Sequence, residues 1–207
     1  MSLVMTISEN GRLTLCPLEE NNWSISIYEE DVIKNHPDWP RLVMTFKDGE
    51  HSSVSTSRDF DQYKDHVAWG RRDHRAWYQY NEVGAGLGGF LPEVVAHFGD
   101  SLKHLPVVID PFNYMEALPL LDSLSRLPFD SYSTAVLTEA RERCFFYLNP
   151  EKVRLINTTL QAALTQFPEI HHSAHVVVDH KGPGSHKEFG AEITSLERRL
   201  YVQPIPE

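Results

Sequence analysis

Cysteine is scarce in this chain: Cys16 and Cys144 are the only two, and they stand far apart. They form neither a metal-binding pair nor a disulfide framework, so both are expected to be reduced thiols. Cys144, within Arg143-Cys144-Phe145-Phe146-Tyr147, reads as strand packing rather than as a nucleophile. No apolar run approaches the length of a membrane span. Glu9 and Arg12 follow Val4–Ile7 closely, so no cationic segment leads into an apolar stretch, and the expectation is a cytoplasmic protein without a secretory leader. Internal repeats, low-complexity tracts and a G-x-S-x-G nucleophile motif are missing as well. Positive charge is in deficit: 19 Lys and Arg against 29 Asp and Glu leave a net charge of −10. Nucleic-acid binders usually carry the opposite balance, because neutralising phosphates supplies much of their affinity. Nucleic acid is therefore disfavoured as a partner, and a small molecule or a protein is the better expectation.

What is present suits a folded α/β protein. At 207 residues, 41% hydrophobic and 23% charged, the chain can bury a real core. Residues 1–70 read as a small β-rich region. Val4–Ile7 and Arg12–Cys16 flank Asn10-Gly11, a hairpin signal. Trp23, Ile25 and Ile27 alternate with polar neighbours, as do Leu42, Met44 and Phe46. Arg58–Trp69 suggests a helix, with Phe60, Tyr63 and Val67 on one face. In residues 71–207, Met115, Leu118, Leu121 and Leu124 suggest a helix that Pro119 starts or kinks. Val136–Leu148 reads as a hairpin or long strand, Lys152–Asn157 and Ala174–Asp179 as buried strands, Leu160–Phe167 as a short helix and His186–Leu200 as a final one.

The most informative stretch is Asn81-Glu82-Val83-Gly84-Ala85-Gly86-Leu87-Gly88-Gly89-Phe90. An aromatic segment (Trp77, Tyr78, Tyr80) precedes it as a candidate strand. Phe90, Leu91, Val94, Val95 and Phe98 follow on one helical face. Pro106-Val107-Val108-Ile109-Asp110 then reads as a second short buried strand ending in an acid. Strand, glycine turn, helix, strand and acid within about one βαβ unit is an arrangement that binds a nucleotide-bearing cofactor. Glycine allows positive φ and close approach of the backbone to a ligand. The following helix offers unpaired N–H groups, and a carboxylate at the neighbouring strand tip can accept from both hydroxyls of a ribose.

Gly84, Gly86 and Gly89 satisfy G-x-G-x-x-G, while Glu82 with Gly84, Gly86 and Gly88 satisfies acid-x-G-x-G-x-G. The second form, followed by a helix and Val107-Val108-Ile109-Asp110-Pro111, resembles the first two motifs of class I S-adenosylmethionine-dependent methyltransferases over Tyr80–Asp110. The resemblance implies a Rossmann-like, doubly wound, mostly parallel sheet that binds S-adenosylmethionine and passes its methyl group to a small-molecule or protein acceptor. It implies that Glu82, Gly84, Ala85, Gly86 and Gly88 surround the methionine part and that Asp110 holds the ribose. Pro111 and Phe112 would lie beside the adenine. Val153–Asn157 would be the third strand, with Asn157 at the adenine edge, and His175–Asp179 the fourth. Asp179 and His180 would then face the acceptor, His180 as a base. The chain stops near Val202–Glu207, about where a fifth strand would begin, and the antiparallel sixth and seventh strands have no visible counterpart. The sheet is therefore expected to be incomplete on that side, or covered there by the N-terminal strands.

Two alternatives share these features: a nicotinamide-dependent oxidoreductase using the same loop, and a non-enzymatic interaction module with a degenerate methyltransferase-like fold. The cluster His171, His172, His175, His180 and His186 admits a metal site, but no H-E-x-x-H or cysteine partner accompanies it, and no metal ligands are assigned. Trp69–Trp77, dense in arginine, is read first as a solvated loop with internal ion pairs and second as an anion site.

Overall fold

Ile25 and Ile27 alternate with Ser24 and Ser26 along β3 (Trp23–Tyr28), and both isoleucines are fully buried. β4 (Leu42–Phe46) repeats this alternation, and both strands belong to an antiparallel meander of β1 (Leu3–Ile7), β2 (Arg12–Pro17), β3, β4 and β5 (His51–Val54), paired in that order. The register sets Ile25 opposite Met44 and Ile27 opposite Leu42, so one face carries the apolar side chains. The computed structural model describes residues 3–17, 22–37, 39–46, 51–54, 60–61, 64, 79–99, 102, 104–171, 173–174 and 176–179. The chain divides into two compact units, residues 1–59 with 114–145 and residues 60–113 with 146–207. Each is thus discontinuous in sequence, whereas the sequence-level division at residue 70 is contiguous.

In the first unit the meander is accompanied by α1 (Glu30–Asn35), α3 (Tyr114–Leu124) and most of α4 (Ser131–Tyr147). Pro119 lies inside α3 rather than at its start. The buried face of α3 is Tyr114, Ala117, Leu121 and Leu124, with Met115 turned to solvent. The segment Val136–Leu148, expected as hairpin or strand, is helical. Its β-branched and aromatic residues favour a strand locally, but Val136, Leu137, Ala140, Cys144 and Tyr147 are buried at helical spacing. Asp130 starts this helix, accepting from the Ser133 amide at 2.9 Å and its hydroxyl at 2.6 Å. The Arg41 guanidinium forks onto Glu139 at 2.7 Å through each nitrogen, tying α4 to the residue before β4.

The second unit contains a four-stranded parallel sheet of β6 (Tyr80–Val83), β7 (Val107–Ile109), β8 (Arg154–Ile156) and β9 (Val176–Asp179), in the order β8-β7-β6-β9. Counted in chain order among themselves, these strands lie 3-2-1-4. α2 (Leu91–Phe98) connects β6 to β7, and α5 (Leu160–Gln166) with a 3-10 turn (Pro168–Ile170) connects β8 to β9. Val83, Val107, Ile109, Ile156, Leu160, Ala163 and Ile170 form the core beside α5. The protein is thus mixed α/β, with one parallel and one antiparallel sheet. Among the described residues no helix is long and apolar enough to cross a membrane. Of the expected Arg58–Trp69 helix, Phe60, Asp61 and Lys64 are described and helical; the expected His186–Leu200 helix lies outside the described residues.

Candidate functional site

All four residues of β6 are buried, including Asn81 and Glu82, which no apolar central strand would predict. Each polar side chain has partners. The Asn81 amide donates to the Ser173 hydroxyl at 3.1 Å, and Gln79 donates to Asn81 Oδ1 at 3.3 Å. Glu82 reaches the start of α2. It accepts from the Phe90 amide at 2.5 Å, from the Leu91 amide at 3.2 Å and from the Tyr147 hydroxyl at 3.2 Å.

The reason for that reach is local. The residue at the N-cap of α2 is Phe90, whose side chain cannot accept a hydrogen bond, and Pro92 has no N–H to satisfy. A carboxylate from the strand eight residues back takes the place of the missing cap. Burial pushes the Glu82 carboxyl up to about 7; the Phe90, Tyr147 and Leu91 donors oppose that rise and only partly offset it, while Glu93 adds to it.

Between Glu82 and Phe90 the chain turns through Gly84 at φ +67° and Gly86 at φ +49°, left-handed values that side chains resist. The Gly84 amide donates to the Ile109 carbonyl at 3.0 Å, which extends the β6–β7 pairing into the loop. The Gly88 amide closes a turn on the Ala85 carbonyl at 3.1 Å. Gly89 has a different role. A Cβ there would overlap the Tyr147 hydroxyl and lie 2.7 Å from the Ala85 Cβ and 3.0 Å from the Glu82 carboxyl carbon. Every residue from Ala85 to Phe90 is buried.

Asp110 follows β7 and is 3% exposed. One carboxylate oxygen accepts from the Gly86 amide at 2.5 Å, the other from the Phe112 amide at 2.6 Å. Burial pushes this carboxyl up to about 6, against the lowering effect of those two amides. Asn157, one residue past β8, donates through its amide nitrogen to the Asp110 carbonyl at 2.7 Å and the Phe112 carbonyl at 2.8 Å. It thereby braces the turn that aims the Asp110 side chain. Phe112 is buried and Pro111 exposed.

The sequence-predicted residues Glu82, Gly84, Ala85, Gly86, Gly88, Asp110, Pro111, Phe112 and Asn157 thus meet at the carboxyl ends of β6, β7 and β8. Asp179 ends β9 with its backbone opposite Val83, at the same edge; His180 lies outside the described residues. His172, His175 and His186 and the arginine-dense stretch 69–77 lie outside them too. Among the described residues no cluster of His, Cys, Asp and Glu has a metal-binding arrangement. Sequence reasoning missed Tyr147, which lies 65 residues from Glu82. The helical spacing of Val136, Ala140, Cys144 and Tyr147 was the signal that would have placed it on a buried face. Cys144 is buried, with its thiol pushed up to about 12 by that burial, and it donates to the Tyr114 carbonyl at 3.2 Å. That environment suits packing, not nucleophilic attack. Compared with family models, curated proteins and solved structures, the chain matches none of them.

Proposed function

We propose that the parallel sheet is part of a Rossmann-like, doubly wound domain that binds S-adenosylmethionine and transfers its methyl group to a small-molecule or protein acceptor. The observation that carries this reading is the 2.5 Å contact between Asp110 and the Gly86 amide, which brings the strand-tip acid and the glycine loop together. The strand order 3-2-1-4 supports it, since open α/β sheets bind ligands at the carboxyl ends of their strands. Asp110 would exchange the Gly86 amide for two ribose hydroxyls. Backbone from Gly84 to Gly88 would pass along the methionine portion, with Pro111, Phe112 and Asn157 on the adenine side. Bound there, the cofactor supplies a methyl group made electrophilic by its sulfonium. The chain's own contribution is alignment and exclusion of water, which the buried loop suits. Asp179, the last residue of β9, and His180, which follows it in sequence, are the candidates for removing a proton from the acceptor.

One observation favours this cofactor over a nicotinamide dinucleotide. A pyrophosphate normally sits on the first N–H groups of the helix after the glycine loop. In α2 those of Phe90 and Leu91 are held by Glu82, and Pro92 has none, so a pyrophosphate would have to displace a buried carboxylate. Another observation favours the non-enzymatic module as a second reading: both oxygens of Asp110 are already engaged by the protein's own amides, and the loop is buried. Parallel calorimetric titrations with S-adenosylhomocysteine and NAD separate the readings. Binding of the first alone supports the proposal, binding of NAD alone transfers the site to an oxidoreductase, and binding of neither leaves the module.

A further inference from the structure

We propose that Tyr147 is a positioning residue for the glycine loop: its hydroxyl holds the Glu82 carboxylate on the Phe90 and Leu91 amides, and so sets the entry of the chain into α2. The inference rests on the cofactor-site reading above for its ligand readout, while its geometry stands apart from it. Tyr147 is fully buried at the end of α4, and its hydroxyl lies 3.2 Å from one Glu82 oxygen. That same oxygen accepts from Leu91, and the other accepts from Phe90. The ring end of Tyr147 also occupies the space that a side chain at residue 89 would need. Strand, loop and helix start are therefore referenced to one hydroxyl that comes from a remote part of the chain.

A neutral carboxyl accepts amide hydrogen bonds more weakly than a carboxylate, so the strength of this arrangement depends on the charge of Glu82. Among the described residues, the titratable groups around it are Tyr147 from α4, Tyr80 on β6 itself at 3.5 Å, and Glu93 on α2. Tyr147 favours the charged form, whereas Glu93 and burial oppose it. Removing the hydroxyl should shift the titration of Glu82 to higher pH and loosen the loop at neutral pH. A residue that only fills space would leave that titration unmoved.

The test uses the full chain with Tyr147→Phe, and Tyr80→Phe as the control for a longer contact. Amide chemical shifts of Phe90 and Leu91 are followed against pH without ligand, and S-adenosylhomocysteine affinity is then measured at neutral pH. The expected result is a titration midpoint near 7 in the wild type, moved upward in Tyr147→Phe and much less in Tyr80→Phe. Affinity in Tyr147→Phe should fall about tenfold, the scale of one hydrogen bond to a charged group. An unmoved midpoint in Tyr147→Phe overturns the inference. If wild type does not bind the ligand, the cofactor reading fails and the midpoint alone decides the role of Tyr147. If Tyr147→Phe does not fold, the wild type decides: a common midpoint for the Tyr147 ring and the two amides supports the role, and a Tyr147 ring unresponsive at the amide midpoint overturns it.

Discussion

The Gly86 amide donates to the Asp110 carboxylate across 2.5 Å, joining the loop after β6 to the tip of β7. This contact is the point at which the strand-tip acid and the positive-φ turn meet. Under the proposed cofactor reading, ligand entry would require an exchange of partners, since Asp110 is 3% exposed and its second oxygen is held by Phe112.

Asp110→Ala is expected to weaken S-adenosylhomocysteine binding by roughly 1–3 kcal/mol, the cost of losing one partner of a charge-assisted hydrogen bond. Asn157→Ala removes the brace on the Asp110 turn without touching its carboxylate, and should weaken binding less. Calorimetry on both variants checks the order. Equal affinity in wild type and Asp110→Ala would remove Asp110 from the site.

Stability should fall as pH rises from acidic to neutral. Glu82 and Asp110 both bind protons more tightly in the folded protein, with carboxyls at about 7 and about 6 against 4.5 and 3.8. Their contribution is full below about pH 4, where both states are protonated, and it is lost as the pH passes through the folded values. For Glu82 the difference between 4.5 and about 7 corresponds to on the order of 3 kcal/mol. Glu82→Gln abolishes that part, so its urea midpoint should drop less than the wild type's between about pH 5 and about pH 8. Identical drops would show that Glu82 is not held neutral by burial.

Gly89→Ala should cost about 1–3 kcal/mol through overpacking. Part of the clash is with the Tyr147 hydroxyl, so Tyr147→Phe should recover some of the loss in the double variant. Denaturant unfolding of the four proteins in this cycle measures the coupling. Strict additivity would mean that Ala85 and Glu82, not Tyr147, limit the space.

Much of this site was legible because its parts are close in sequence. The spacing of Glu82, Gly84, Gly86 and Asp110 follows from a strand, a tight turn, a helix and a second strand, and local patterns carry all four. What was not legible is what long-range contacts decide. Val136–Leu148 reads as a hairpin or long strand by residue type, yet its buried positions follow the helical period. Tyr147 and Asn157 come to the site from 65 and 47 residues away, so no local pattern announces the Tyr147–Glu82 bond or the grip of Asn157 on the Asp110 carbonyl. Glu82 looks like an interruption of a buried strand until its amide partners in α2 are seen.

Cys144 should resist thiol reagents in the native protein, since burial pushes its thiol up to about 12, whereas Cys16 is only partly buried. A chromogenic disulfide reagent should therefore titrate one thiol quickly and the second only on unfolding. Two fast thiols would contradict the packing of α4.

The most direct measurement is a calorimetric titration of the full chain with S-adenosylhomocysteine, with Asp110→Ala run beside it. The account predicts one-to-one, micromolar-range binding to the wild type and clearly weaker binding to the variant. No heat of binding to a wild type that is folded by circular dichroism would contradict it, and would leave the contact between Gly86 and Asp110 as a purely structural clasp.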